Sequence, residues 1–524
     1  MGLNNTLSGD RPFVTVGQDG LSQFNGSTGT EIQSAINSLS SVGGTVHIKK
    51  GTYSISSRIV ITDDITIEGD GKATILQANA SLTEEILRNN DTSSGNENIT
   101  IKNLMIDGNS NIGSHSINLQ QCTNFLIENI YIFEPKFSGI YVYNLDGSNL
   151  PTTCRGTIRN NHIDGTGGSD NGIKVYGCRE IEITGNISNN CSSDGIWVGA
   201  CYEPIVTNNL CYNNTRNGIW LGEMDTSTFF TQTEQAVCSN NICRGNTVDG
   251  IYGYKLERSS IVSNVCFENR NGISFGVGDS RNNTISSNVC YLNQFHGIYI
   301  NSSDYNVISN NNVYDNSQDT TDTYNGINLS DSDQNIIIGN IISNTSGGAK
   351  RQKYGIETTG TTENTFISGN KITNNVTGAI SVVDSSYQKF GNTDAEMSAF
   401  KILGTLDMNT QQLTNVQGLV VNNNASITSK DSGAAARTVT KLRGDDWLEV
   451  GDSNLGASGK GIYLRQAPLG QNDITSSNIP YIITGTAAPA VTPVKKGNIF
   501  VDSTNTKVYI ATGNSSSADW SVLN

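Results

Sequence analysis

Asparagine returns along this chain on a beat. Asn103, Asn129, Asn161, Asn186, Asn209, Asn241, Asn264, Asn288, Asn312, Asn340 and Asn370 fall 23 to 32 residues apart, which marks an internal repeat. Each unit reads alike: a short β-prone run, the asparagine, two residues, polar turn residues, and a glycine followed by an apolar residue, as in Asn171-Gly172-Ile173. Units this short, rich in β-branched residues and free of helical periodicity, cannot bury an apolar face alone. They must stack along one axis, one coil per repeat. The spacing therefore predicts an all-β solenoid, a parallel β-helix, over residues 99–392. The residue two after the asparagine is apolar in most units (Met105, Tyr131, Ile163, Cys211, Cys243, Cys266, Cys290, Tyr314, Ile342, Ile372; Ser188 is the exception), and is expected to point into the core. The asparagine sits at the preceding bend, where stacked amides satisfy turn backbone groups and one another.

The ends carry different signals. Residues 1–25 read as a polar lead. Thr30-Glu31-Ile32-Gln33 has a capping-box pattern and opens a predicted helix with apolar face Ile32, Ala35, Ile36 and Leu39, suited to closing the open end of the stack. Gly43-Gly44-Thr45-Val46-His47-Ile48, Gly51-Thr52-Tyr53 and Ile65-Thr66-Ile67-Glu68-Gly69 follow as the first alternating strands, so residues 26–98 are the N-terminal cap and first coils. The beat stops near Tyr387. Residues 393–470 read as a fibre-like connector and 471–524 as a small β-rich C-terminal module containing Gly497-Asn498-Ile499-Phe500-Val501-Asp502, Lys507-Val508-Tyr509-Ile510 and Trp520.

Over residues 28–390 these motifs resemble the pectate-lyase-like superfamily, which includes phage tailspikes and polygalacturonases. The resemblance implies a right-handed coil. Leu406-Asp407-Met408-Asn409 with Leu413-Thr414-Asn415-Val416 resembles a motif of phage tail fibres, and the closing segment is similar to the ends of viral fibre proteins. In such proteins these ends hold three chains together, so the resemblance implies a homotrimer; the alternative is a module that only caps the rod.

With 33 Lys and Arg against 48 Asp and Glu, the net charge is −15. That argues against a nucleic-acid groove and against attraction to anionic membranes. Met1 to Asp10 lacks the basic-then-apolar layout of a secretory signal, so an external protein of this sequence is expected to leave its cell another way, release by lysis inside a virion being one such way. Cys211, Cys243, Cys266 and Cys290 share one inward position, and Cys178 and Cys201 another. This register reads as stacked core thiols rather than disulfides, and no histidine lies among them at zinc-ligand spacing. His115, His162 and His296 are isolated and read as structural.

Counting from each repeat glycine, the next residue faces in, the second out and the third in. The outward row then reads Tyr141, Lys174, Trp197, Trp220, Tyr252, Ser274, Tyr299 and Asn328, with two of the protein's four tryptophans side by side. An aromatic row on an outer face suits the apolar faces of sugar rings. Trp197, Trp220, Tyr252, Tyr141, Tyr299, Lys174 and Lys255 are therefore the candidate substrate-binding residues. The alternative is that this face packs against another chain of a trimer.

Carboxylates gather on the same coils: Asp194 and Asp249 just before their glycines, Glu223 and Asp225 in the long loop from Gly222 to Gln235. Stacked positions two coils apart are separated by ~9.6 Å, at the upper end for the two acids of an inverting glycosidase. The candidate catalytic set is Glu223 as general acid with Asp194 or Asp249 as base, and Asp225 beside them. A lyase would instead use Lys174, Lys255 or Tyr254 to handle the proton beside a uronate. Against both stands the reading that these are solvated turn acids like Glu180, Glu203, Glu257, Asp279, Asp304 and Asp333. That series offers Ca²⁺ a seat, but no compact ligand motif demands it, and no other metal or cofactor is called for. The Asp-Pro-His of alginate epimerases is missing.

The sequence thus points to a trimeric virion tailspike or tail-fibre protein that engages a host surface polysaccharide and works beside other tail proteins, with cleavage left open. The alternatives are a free polysaccharide lyase, hydrolase or epimerase, monomeric with a carboxylate-lined groove, and a non-enzymatic fibre that buries Trp197 and Trp220 between chains.

Overall fold

The computed structural model describes residues 12–523 apart from 110–112, 146–150, 167, 223–231, 346–350, 384–387, 395–425, 431–435, 443–446, 451–461, 466–481, 491 and 494–495. The chain divides into two compact units, Met1–Gly404 and Thr405–Asn524.

In the first unit most coils contribute three short strands, as in Ser260–Val262, Val265–Phe267 and Asn271–Phe275, whereas in early coils the first two are one continuous strand, as in Thr100–Asp107 and Leu126–Phe133. Two of the three flank the asparagine bend and belong to a 27-stranded sheet, and the third joins a 13-stranded sheet. Successive coils pair in parallel. Thirteen strands among the described residues give a stack roughly 58 Å long. An isoleucine row runs from Ile117 through Ile140, Ile173, Ile196, Ile219, Ile251, Ile273, Ile298 and Ile327 to Ile356 in register, all of it fully buried. Each such side chain contributes about 1.5–3 kcal/mol over an exposed one. Alternation of β-branched and polar residues produces this row, because a strand sends neighbouring side chains to opposite faces.

The bend is held by amide ladders. Asn161, Asn186, Asn209, Asn241, Asn264, Asn288, Asn311, Asn340 and Asn370 pass Nδ2–H···Oδ1 bonds of 2.9–3.0 Å from coil to coil. From Asn186 onward each Oδ1 also accepts the backbone N–H of the preceding coil's asparagine, and Asn161 Oδ1 accepts that of Ile130. A second ladder runs Asn214, Asn246, Asn269, Asn293, Asn316, Gln352 and Asn375.

Three members of the sequence beat sit one residue off this ladder. Asn103 and Asn129 occupy the left-handed position before it (φ 56° and 55°), and Asn312 follows the ladder residue Asn311. Met105, Tyr131 and Tyr314 therefore point outward, and Leu104, Ile106, Ile130, Ile132 and Val313 fill the core instead. The bend has two asparagine-friendly seats, an αL residue and a buried ladder residue, and a spacing rule alone does not distinguish them.

At the N-terminal end, Gly29–Leu39 forms the helix and buries Ile32, Ala35, Ile36 and Leu39. Its capping box begins at Thr28, not Thr30: the Glu31 carboxylate accepts from Thr28 N–H at 3.0 Å, and Thr28 Oγ1 from Thr30 N–H. Inside the stretch expected to be a polar lead, Phe13–Gly17 forms a strand paired with Gly44–Ile48, because Val14 and Val16 alternate into the core. All ten cysteines are free and buried, with Cys211, Cys243, Cys266 and Cys290 in one register row. Burial pushes the thiols of Cys122 and Cys191 up to about 12.

In the second unit, Ser426–Lys430, Ala436–Leu442, Trp447–Val450 and Ile462–Arg465 form an antiparallel sheet. Ile482–Gly485, Ile499–Asp502, Lys507–Ala511 and Trp520–Leu523 form another, where Phe500 packs edge-on to Tyr509 and Trp520. The fibre-like motif from Leu406 to Val416 lies outside the described residues.

Candidate functional site

Strand pairing sets Asn118, Tyr141, Lys174, Trp197, Trp220, Tyr252, Ser274, Tyr299, Asn328 and Glu357 in one row across the 13-stranded sheet. Trp197 and Trp220 stack at 5.3 Å between centroids, 27° apart. They do not form an open platform. Trp197 is 4% and Trp220 6% exposed, because ring faces stacked along the coil axis hide one another and cations cap them. Lys174 Nζ lies 4.1 Å from the Trp197 ring, the Arg216 guanidinium 4.8 Å from Trp220, and Trp197 Nε1 donates to Gly222 O at 3.1 Å. Tyr252 stands edge-on to Trp220 at 5.7 Å. Where the aromatic members of the row begin and end, Tyr141 stacks on His115 and Tyr299 on His296.

Beside this row a cavity of about 270 Å³ is lined by Arg216, Asn217, Trp220, Val248, Tyr252, Tyr254 and Arg270. Of the sequence candidates it gathers Trp220, Tyr252 and the lyase candidate Tyr254. Lys255 holds its ammonium 5.6 Å from the Tyr254 ring, and Lys174 stays with the tryptophans, its pKa lowered by burial.

Asp194 and Asp249 are not solvated turn acids, nor do they line the cavity. They are members of a third ladder, Asn171, Asp194, Asn217, Asp249, Asn271, at the residue before each glycine. Asp194 Oδ1 accepts from Asn217 N and Nδ2 at 3.0 and 2.8 Å. Asp249 Oδ1 accepts from Asn271 Nδ2 at 2.8 Å, and its Oδ2 from Ser274 Oγ at 2.7 Å. They are 1% and 0% exposed, and burial raises the pKa of each against the pull of Arg216 and Arg270 respectively. Arg216 Nη1 is 4.0 Å from Asp194, and Arg270 Nε 3.6 Å from Asp249. Glu223 and Asp225 lie outside the described residues.

The two arginines escaped the sequence reading, although both stand in the same tripeptide, Arg216-Asn217-Gly218 and Arg270-Asn271-Gly272. His296 continues the third ladder: its Nδ1 accepts Asn325 N–H at 3.0 Å, and burial lowers its pKa to about 3. His162 Nε2 is bonded to Asn189 Oδ1, and burial lowers His115 to about 4. Several of the turn acids proposed for Ca²⁺ are paired with arginine instead, Glu180 with Arg155, Glu257 with Arg258 and Asp279 with Arg281. Among the described residues no group of three or more His, Cys, Asp or Glu side chains could hold a metal ion. No described helix is long and apolar enough to cross a membrane.

Comparison with known families and structures agrees on the architecture. Residues 91–231 match the right handed beta helix region family model, and residues 227–394 the model described as periplasmic copper-binding protein (NosD). This is a right-handed parallel β-helix protein. No curated protein sequence matches it. Among solved structures, pre-mature bacteriophage phi29 gene product 12 aligns with TM-score 0.53 and 16% identity over 70% of this chain and 54% of its own. The Azotobacter vinelandii mannuronan C-5 epimerase AlgE4 A-module aligns with TM-score 0.48 and 16% identity over 70% and 95%. Tailspike protein 3 of bacteriophage CBA120 aligns with TM-score 0.47 and 12% identity over 83% and 67%.

Proposed function

We propose that this chain is the glycan-engaging rod of a virion tail, a homotrimeric tailspike or tail-fibre protein that binds a surface polysaccharide of its host beside other tail proteins. The observation that carries the reading is the cavity on the rigid 13-stranded face, where Trp220, Tyr252 and Tyr254 supply ring surface and two arginines supply directed donors, the mixture of apolar walls and few polar groups that saccharide sites use. Association of copies has support of its own. Ile205, Val237, Ile242, Ile336, Ile338 and Ile341 are 38–49% exposed on the outer face around the asparagine bend, and the one row from Ile187 through Leu210, Ile242, Val265, Val289 and Asn312 to Ile341 carries no charge. An apolar face of this length favours burial against a second copy.

The reading is of binding. Asp194 and Asp249 spend their oxygens on the ladder, and the described lining of the cavity has no carboxylate to serve as acid or base, which also weighs against the free hydrolase. The purely structural fibre required a neighbouring chain to cover Trp197 and Trp220, yet both are already buried within one chain. The test is light scattering on the purified protein, followed by incubation with a panel of bacterial capsular and exopolysaccharides, tracking retention, viscosity and reducing ends. A trimer that binds one glycan, with binding lost in Trp220→Ala, is expected; a monomer that binds none of the panel overturns the proposal.

A further inference from the structure

We propose that the cavity beside Trp220 recognises an acidic sugar, one carrying a carboxylate, held by Arg216 and Arg270. This rests on the saccharide reading above and narrows it. Around the cavity the described polar groups are mainly donors. Arg216 and Arg270 line it with side chains 45% and 42% exposed. Trp220 lines it too, and its Nε1–H, on a residue more than nine-tenths buried, finds no acceptor among the described residues. Asn217 is already committed on both sides, to Asp194 and to Asp249 N–H. A neutral sugar brings hydroxyls that must donate as well as accept. A carboxylate only accepts, which matches this lining, and arginine's planar fork suits its two oxygens.

The buried carboxylates behind the arginines do not consume that capacity. At 4.0 and 3.6 Å they lie beyond hydrogen-bond length. Each is instead a positioning residue, anchored by its own ladder bonds, that draws one edge of a guanidinium inward and leaves the rest for the ligand. Arg216 is further fixed over the face of Trp220. A volume of about 270 Å³, just under the usual range for small-molecule sites, fits a monosaccharide-sized group, not a long stretch of chain. The protein as a whole carries −15, so attraction of an anion here comes from this constellation and not from the general field.

The test uses the full chain and wild-type cavity first: tryptophan fluorescence titrations with oligogalacturonate, oligomannuronate, hyaluronan and sialylated oligosaccharides, each beside its carboxyl-reduced form of the same linkage. One acidic member is expected to bind at least tenfold more tightly than its reduced form, with the difference shrinking as salt rises. In Arg270→Gln or Arg216→Gln that difference disappears, the acidic form losing more affinity than the reduced one; Asp249→Asn narrows it in the same direction. If acidic and reduced forms bind alike, and the arginine variants change neither, the acidic assignment falls and the saccharide reading stands. If neither form of any probe binds, both fall.

Discussion

At position 249 the third ladder carries a carboxylate where its neighbours Asn217 and Asn271 show that an amide fits. Burial raises the Asp249 pKa above its unfolded value, so the folded protein holds this proton more tightly than the unfolded chain does. The stability this group contributes is therefore greatest in acid, and it is lost as pH climbs from the unfolded value through the raised folded one. Asp249→Asn removes that loss. It is expected to stabilise the fold at pH 7 by on the order of 1 kcal/mol and to be near neutral at pH 3.5, measured as the difference between variant and wild-type urea midpoints at the two pH values. Equal destabilisation at both would show that the carboxylate is needed for the ladder itself. The row of aromatics was legible from the glycine register because alternation is local. Its burial was not, since exposure of Trp197 depends on Lys174 and Trp220 from neighbouring coils, which no single unit encodes. The paired Arg-Asn-Gly tripeptides were on view, but an arginine before a turn is ordinarily a solvated one.

Among elements, the asparagine bend is where sequence and structure correspond most closely. Asn264 donates to Cys238 O at 3.0 Å and to Asn288 Oδ1 at 3.0 Å, and accepts from Asn241 N and Nδ2 at 2.9 Å. Asn264→Ala strands several buried partners and is expected to cost on the order of 3 kcal/mol or more. The preceding Ser263 sits at φ 58°, a seat that Gly185, Gly339 and Gly369 fill on other coils. Ser263→Gly should stabilise by about 0.5–1 kcal/mol, the left-handed strain relieved less the added chain entropy. Chemical denaturation of both variants checks the pair, and a neutral Asn264→Ala would sink the ladder as a source of stability. Doublets such as Asn208-Asn209, Asn240-Asn241 and Asn310-Asn311 hold the signal that separates the two seats: the first takes the left-handed turn and the second joins the ladder.

For the whole molecule, the outer isoleucine face gives the proposed trimer a testable contact. Ile242→Glu with Ile341→Glu adds two charges to a row with none on the coils between them and leaves the core untouched. Light scattering should then report monomers with unchanged circular dichroism, whereas an unaltered mass would place the association elsewhere, for instance in the second unit. The coil geometry also fixes how the rod answers force. Its interstrand bonds lie along the stack, one coil wide, so tension on the chain meets them in sequence, and repeats of 23 to 32 residues each let go roughly 80–110 Å of extended chain. Compression instead drives a close-packed isoleucine column against itself, so the rod pushes stiffly and peels softly.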